Sequence, residues 1–274
     1  MNSHLFLAVF SSILVLLHFD AAPMLSANSL TYDRIVCLGD SLTQRGAEVD
    51  RRGWTAQLAQ AYARRLDLVN RGFGGFNSRW LRAILPAIMP APDVHSRVRL
   101  ATVLLGANDA QFAGFKCHVP LDEFRDNLRA IAAALGVLAP GAYLLLVTPP
   151  PFGEKLYARF KSPDEIDRGH AGSAAYAQAV RQVAAELHVP CVDLWSAIDA
   201  RIDPAVGQDD GYDHFLHDGL HLNANGNDLL FALLTDAIKS NFSELDPDAM
   251  PFVVPSFRDF DNTDHLLRML GSPP

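Results

Sequence analysis

The sequence has no CxxC pair, no cluster of lysine and arginine, no apolar run of bilayer length and no Gly-x-Ser-x-Gly pentapeptide. The three cysteines, Cys37, Cys117 and Cys191, stand far apart in 274 residues. That spacing leaves neither a zinc knuckle nor a redox pair, and the odd count excludes a full disulfide framework. Cys37 and Cys191 lie in apolar, strand-like runs and are expected as buried free thiols. With 23 basic and 31 acidic side chains the formal charge is −8. Without a basic patch to neutralise phosphates, nucleic acid is excluded as a partner. The missing pentapeptide excludes the nucleophile elbow of ordinary α/β-hydrolases. What remains is 49% apolar and 20% charged residues, the composition of a globular domain with a substantial core.

Leu5 to Phe19 is apolar but shorter than the ~20 residues that cross a bilayer, so no membrane span is expected. Its length suits a signal-peptide core. Residues 1–27 are expected to be a signal peptide or an unstructured leader, which implies secretion or an endomembrane lumen. The alternative is a cytoplasmic protein beginning at Met24, since the leading Met-Asn-Ser-His lacks a basic residue and Leu25-Ser26-Ala27 only partly matches a cleavage site. Asn241-Phe242-Ser243 is a glycosylation sequon that matters only if the chain is secreted.

From Arg34 onward, short β-branched and leucine-rich runs alternate with segments of helical period, the pattern of a parallel sheet covered by helices. The fold class is α/β. Strands are expected at Ile35 to Leu38, Asp67 to Asn70, Val98 to Leu105, Tyr143 to Val147 and Val189 to Val192, each nearly continuous in apolar residues. Helices are expected over Trp54 to Leu66, around Leu121 to Leu135, over Ser173 to Leu187 and over Asp228 to Lys239. Nothing divides the chain, so residues 32–274 are expected to form a single domain. Two connections exceed what packing requires, Pro149 to Gly172 and Gly207 to Leu222, and long loops often carry function.

In an open α/β sheet the ligand crevice lies beyond the carboxyl ends of the strands. The first strand leads into Gly39-Asp40-Ser41, the second into Asn70-Arg71-Gly72-Phe73-Gly74-Gly75, and the third into Gly106-Ala107-Asn108-Asp109. Asp218-Gly219-Leu220-His221 precedes the last helix of that set. A serine hydroxyl needs an imidazole to take its proton, and a carboxylate fixes the tautomer of that imidazole. Ser41, His221 and Asp218 suit those parts. The amides of Ser41 and Gly75 and the Nδ2 of Asn108 are candidate donors to an oxyanion. Taken singly, each piece reads as readily as a helix cap or a turn.

Together, Gly39-Asp40-Ser41-Leu42, a glycine of the second block, Gly106-Ala107-Asn108-Asp109 and Asp218-Gly219-Leu220-His221 resemble the four blocks of SGNH (GDSL-type) hydrolases. Asn70-Arg71-Gly72-Phe73 with Gly75 and Ser78-Arg79-Trp80, then Leu104 to Ala110, is similar to the isoamyl acetate-hydrolysing esterase branch. So are the Val119 to Leu128 stretch and Phe257-Arg258-Asp259. The resemblance implies a three-layer α/β/α flavodoxin-like fold with a five-stranded parallel sheet. It also implies metal-free ester hydrolysis, with Ser41, Gly75, Asn108 and His221 as the block residues. Gly75 is preferred over Gly72 and Gly74 because it precedes Ser78 by three, as the family glycine precedes its serine.

The expected activity is therefore hydrolysis of small carboxylic, acetate-type esters through an acyl-enzyme, with ester and water as partners, no cofactor and no metal. Lipid or carbohydrate esters, or a silent binding protein on the same fold, are the alternatives. Phe73, Phe76, Phe112 and Phe115 are candidate walls of a substrate pocket or plain sheet-edge packing. His214, His217 and His221 make a lesser metal set, with Gly219 set against a helix there. The glycines after the second strand lack the third glycine of a dinucleotide fingerprint. Arg79, Trp80 and Arg258 are taken as structural. The oligomeric state is not readable from the sequence.

Overall fold

The computed structural model describes residues 30–91, 96–203 and 209–271. The expected leader and the first two residues of the Gly207 to Asp213 segment lie outside the described residues. Five strands, β1 (Asp33–Gly39), β2 (Leu66–Gly72), β3 (Val98–Leu104), β4 (Tyr143–Val147) and β5 (Cys191–Val192), form one parallel sheet in the order β2-β1-β3-β4-β5. This is the order of flavodoxin-like sheets, whose switch point lies between β1 and β3. Consequently β1 has β2 on one side and β3 on the other, and the three polar segments that follow these strands emerge side by side.

The helices are α1 (Ser41–Gln44), α2 (Trp54–Ala61), α3 (Ser78–Ile88), α4 (Leu121–Leu138), α5 (Glu154–Ala158), α6 (His170–Glu186), α7 (Leu194–Asp199), α8 (Ala224–Asn241) and α9 (Thr263–Met269). Side chains alternate across a strand, so β1 feeds two cores. Ile35 and Cys37 pack with Trp54 and Leu58 of α2, Leu194 of α7 and Leu230 and Leu234 of α8. Val36 and Leu38 pack with Leu81 and Leu85 of α3, Phe124 and Leu128 of α4 and Val180 of α6. The result is the expected three-layer α/β/α arrangement. Each fully buried side chain of this size contributes about 1.5–3 kcal/mol.

Several boundaries differ from the sequence expectation, for local reasons. The helix expected over Trp54 to Leu66 ends at Ala61, because Arg64 takes a left-handed φ of 66° and the chain turns into β2. β5 pairs over Cys191–Val192 alone, since Pro190 has no N–H to donate to a ladder. Helices α1, α5, α7 and α9, all short, were not expected, and neither was the longer α3. Asn77 caps α3 through the Trp80 amide, it buries Leu81 and Leu85 with Ile88 packed beside them, and it runs through Pro86, a residue that ordinarily ends a helix. The Pro149 to Gly172 connection holds α5 and a 3-10 turn, and Asp209–His214 forms a 3-10 helix. All three cysteines are free, with Cys37 buried and Cys117 and Cys191 partly so. No helix among the described residues is long and apolar enough to cross a membrane.

Trp54, fully buried, ties α2 to α1, the short helix that follows β1, by donating its Nε1–H to the Leu42 carbonyl at 3.0 Å. A buried carbonyl left without its donor costs about 1–3 kcal/mol. Trp54→Phe is therefore expected to lower the unfolding free energy by about that amount in a urea titration. An unchanged midpoint contradicts the role given to this bond.

Candidate active site

Ser41 is the first residue of α1, directly after the turn that ends β1. Asp40 shapes that turn, since its Oδ1 accepts the Leu42 amide at 2.8 Å, the bond of an N-cap. The serine is thus carried on a strand-to-helix corner whose backbone is fixed from below.

His221 arrives from the far end of the chain. Residues Leu216 and Leu222 form an antiparallel bridge, and the His217 amide donates to the His221 carbonyl at 2.7 Å. The loop between them is therefore a closed turn and not a helix. Within it, Asp218 Oδ1 accepts the amides of Leu220 (3.1 Å) and His221 (2.8 Å), the self-bonding habit of an aspartate turn. This leaves Oδ2 2.8 Å from His221 Nδ1. On the other side of the ring, Nε2 lies 2.9 Å from Ser41 Oγ, 180 residues away in sequence. An ionised carboxylate only accepts, so Nδ1 carries a proton, and in the neutral ring Nε2 is then the acceptor that faces the hydroxyl.

Gly219 makes the turn possible. Its φ is +82°, and a Cβ there would lie 2.4 Å from the Gly153 carbonyl oxygen and 2.6 Å from the Tyr157 amide. The Gly153 amide donates to the Gly219 carbonyl at 2.9 Å. The long connection after β4 therefore braces the histidine loop backbone against backbone.

The second block is tied to α1, and the third block to the second. Gln44 Oε1 accepts the Gly74 amide at 2.7 Å, and Asn70 Nδ2 donates to the Thr43 carbonyl at 2.7 Å. Gly75 is exposed, with a left-handed φ of +77°. Asn108 is buried and donates one Nδ2–H to the Phe76 carbonyl at 2.9 Å. Its second N–H stays available to another acceptor. Asp109 Oδ1 accepts the Ser78 amide at 2.9 Å. So the structure joins Ser41, Asp218 and His221 in one line, and links the loops of Gly75 and Asn108 to the serine helix.

The remaining candidates are placed differently. Phe73 and Phe76 pack against each other with ring centres 5.2 Å apart, while Phe112 and Phe115 stand exposed on the turn after β3. The three histidines go to separate partners: His217 Nε2 faces Arg51 Nη2 at 3.5 Å, His214 packs edge-on against Phe215, and His221 faces Ser41. Arg79 pairs with Glu123 on the surface, Trp80 lies against Phe76, and Arg258 covers Phe257. Sequence reasoning missed Gln44 and Asn70 as loop ties. The signal for both was a polar amide side chain beside a block, at a strand or helix end.

Residues 37–229 match the GDSL-like Lipase/Acylhydrolase family. The chain is similar to the isoamyl acetate-hydrolyzing esterase 1 homolog of Bos taurus, 35% identical over 90% of this chain and 95% of that protein. It is also similar to a GDSL esterase/lipase of Arabidopsis thaliana, 35% identical over 85% of this chain and 93% of the other. Among solved structures, the lipase/acylhydrolase from Enterococcus faecalis shares the fold at a TM-score of 0.55 and 23% identity, covering 76% of this chain and 96% of that one.

Two further carboxyls lie beneath the strand exits. Burial drives Asp40 up to about 7, helped by the neighbouring charge of Asp109 and opposed by the Leu42 amide. Burial likewise raises Asp109 to about 6 against its bonds from Ser78. Asp218 is the contrast: burial alone would raise it, but the hydrogen bond and charge of His221 outweigh that and hold it well below the carboxylate range. An unfolded aspartate titrates near ~3.9. Between about pH 4 and 7 the folded chain therefore holds more protons on Asp40 than the unfolded chain does, so stability falls as pH rises through that window. Asp218 acts oppositely, with its contribution present above about pH 4 and lost only in strong acid. Asp40→Asn, which keeps the capping oxygen, is expected to flatten the decline in unfolding free energy between pH 4 and 7. An unaltered slope in urea titrations across that range contradicts a protonated Asp40.

Proposed function

The chain belongs to the GDSL-like lipase/acylhydrolase family and is a carboxylic ester hydrolase; within that class we propose a serine esterase for small, acetate-type esters, working through an acyl-enzyme. The observation that carries this reading is the continuous line from Ser41 Oγ through His221 to Asp218, at 2.9 and 2.8 Å. Ser41 attacks the ester carbonyl while His221 Nε2 takes its proton. The same nitrogen returns the proton to the departing alcohol, and a water then repeats the sequence on the acyl-enzyme to free the acid. Asp218 keeps the ring oriented and steadies the imidazolium.

The tetrahedral intermediate places a negative charge on the former carbonyl oxygen. The amides of Ser41 and Gly75 and the free N–H of Asn108 are the donors assigned to it. They gain value from being fixed before reaction, and the ties from Gln44 to Gly74 and from Asn108 to Phe76 supply that rigidity. Preference for acetate-type esters is supported by the likeness to isoamyl acetate-hydrolyzing esterase homologues. No metal takes part in this scheme.

The test is a panel of p-nitrophenyl esters of graded acyl length, run beside an acetylated sugar. The acetate is expected to give the highest kcat/KM, with rates unchanged by EDTA. His221→Ala should remove more than roughly 10³-fold of kcat, and Asn108→Ala about 10²–10³-fold. A maximum at long acyl chains or on the sugar moves the substrate class, and turnover of none of them leaves a silent fold.

A further inference from the structure

Among the described residues Arg168 is the one lysine or arginine that is buried, at 5% exposure. It lies in the connection between α5 and α6, outside the four blocks. A buried guanidinium is costly unless each of its edges is matched, and here the matches are specific. Nε and Nη2 donate to the two carboxylate oxygens of Asp167 at 2.8 and 3.0 Å, and Nη1 donates to the Ala107 carbonyl at 2.7 Å. Asp167 is itself held by the Gln111 side-chain amide and the Tyr157 hydroxyl, and its carbonyl accepts the Phe112 amide at 2.6 Å.

We propose that Asp167 and Arg168 are positioning residues for the esterase reaction: the carboxylate locks the guanidinium, and the guanidinium fixes the Ala107 carbonyl and thereby the Asn108 amide. The link is covalent geometry, because the Ala107 carbonyl and the Asn108 nitrogen share one planar peptide unit. Fixing the oxygen fixes the plane from which the Asn108 side chain departs. The opposite end of Asn108 is fixed by Phe76, so the side chain is held at both ends. Simple loop closure needs no buried cation. A planar fork with a third N–H directed at the residue before Asn108 is what arginine supplies and lysine does not. The charge also reaches Asp40 at the foot of the serine helix, where it opposes the effect of burial.

This inference rests on the reading of Asn108 as an oxyanion donor, and the test separates the two. Arg168→Lys keeps the charge and loses the fork. It is expected to lower kcat by roughly 10- to 100-fold with KM changed less than about threefold. Affinity for a trifluoromethyl ketone, which forms an oxyanion on Ser41, should fall by the same factor as kcat/KM. Should this variant fail to unfold cooperatively, Asp167→Asn, which frees the guanidinium while retaining volume, carries the same expectation. A folded variant with kcat within about threefold of the wild type overturns the proposal, as does a loss of kcat without a matching loss of ketone affinity. If Asn108→Ala itself leaves kcat unchanged, both readings fail. If Asn108→Ala is slow and Arg168→Lys is fast, the positioning role alone fails.

Discussion

The 2.9 Å approach of Ser41 Oγ to His221 Nε2 is the interaction on which the rest depends. It joins residues 180 positions apart, so no local propensity produces it. What produces it is a parallel sheet in which β1 lies between β2 and β3, with the late helix α8 packed on the same face as α2. The loop just before α8 is thereby returned to the serine. Asn227 of α8 strengthens that return by accepting the Trp54 amide and donating to the Arg51 carbonyl, at 3.3 and 3.2 Å. The segment that follows the serine helix and the helix that follows the histidine loop are thus stitched a few residues from the site itself.

Around this line the structure trades stability for fixed geometry. Asp40, Asp109 and the Asp167–Arg168 pair are charged or chargeable groups buried among strand exits. Hydrophobic residues of similar volume are often at least as stabilising in such places. Each of these groups instead makes directed bonds: Asp40 to the turn bearing Ser41, Asp109 to the start of α3, and Arg168 to the Ala107 carbonyl. Their common effect is that backbone segments from three strands are locked to one another before any ester arrives, which is the condition under which fixed dipoles stabilise a developing charge.

The sheet and the helices α2, α4, α6 and α8 were legible because buried parallel strands are nearly continuous apolar runs and these covering helices repeat at three and four residues. Tyr143 to Val147 appears with the expected bounds, and β1 and β3 nearly so. What was not legible was set by tertiary contacts, prolines or single backbone angles: the early end of α2 before Arg64, the shortened β5 after Pro190, and α3 running through Pro86. At the site, the blocks themselves were readable, as was the pairing of Asp218 with His221, although the connecting turn is closed by a bridge and not by helical bonds. The ties between blocks were not. Gln44 and Asn70 stand beside the blocks at a helix and a strand end, but nothing in the sequence names their partners, and Arg168, in the connection between α5 and α6, carries no mark at all.

The central claim is that the Ser41 hydroxyl is the nucleophile activated by His221. The most direct measurement is peptide mass spectrometry after treatment with an ester-mimicking phosphonate. Stoichiometric phosphonylation of Ser41, lost in His221→Ala, is the predicted result. An intact Ser41 alongside undiminished ester hydrolysis contradicts the account.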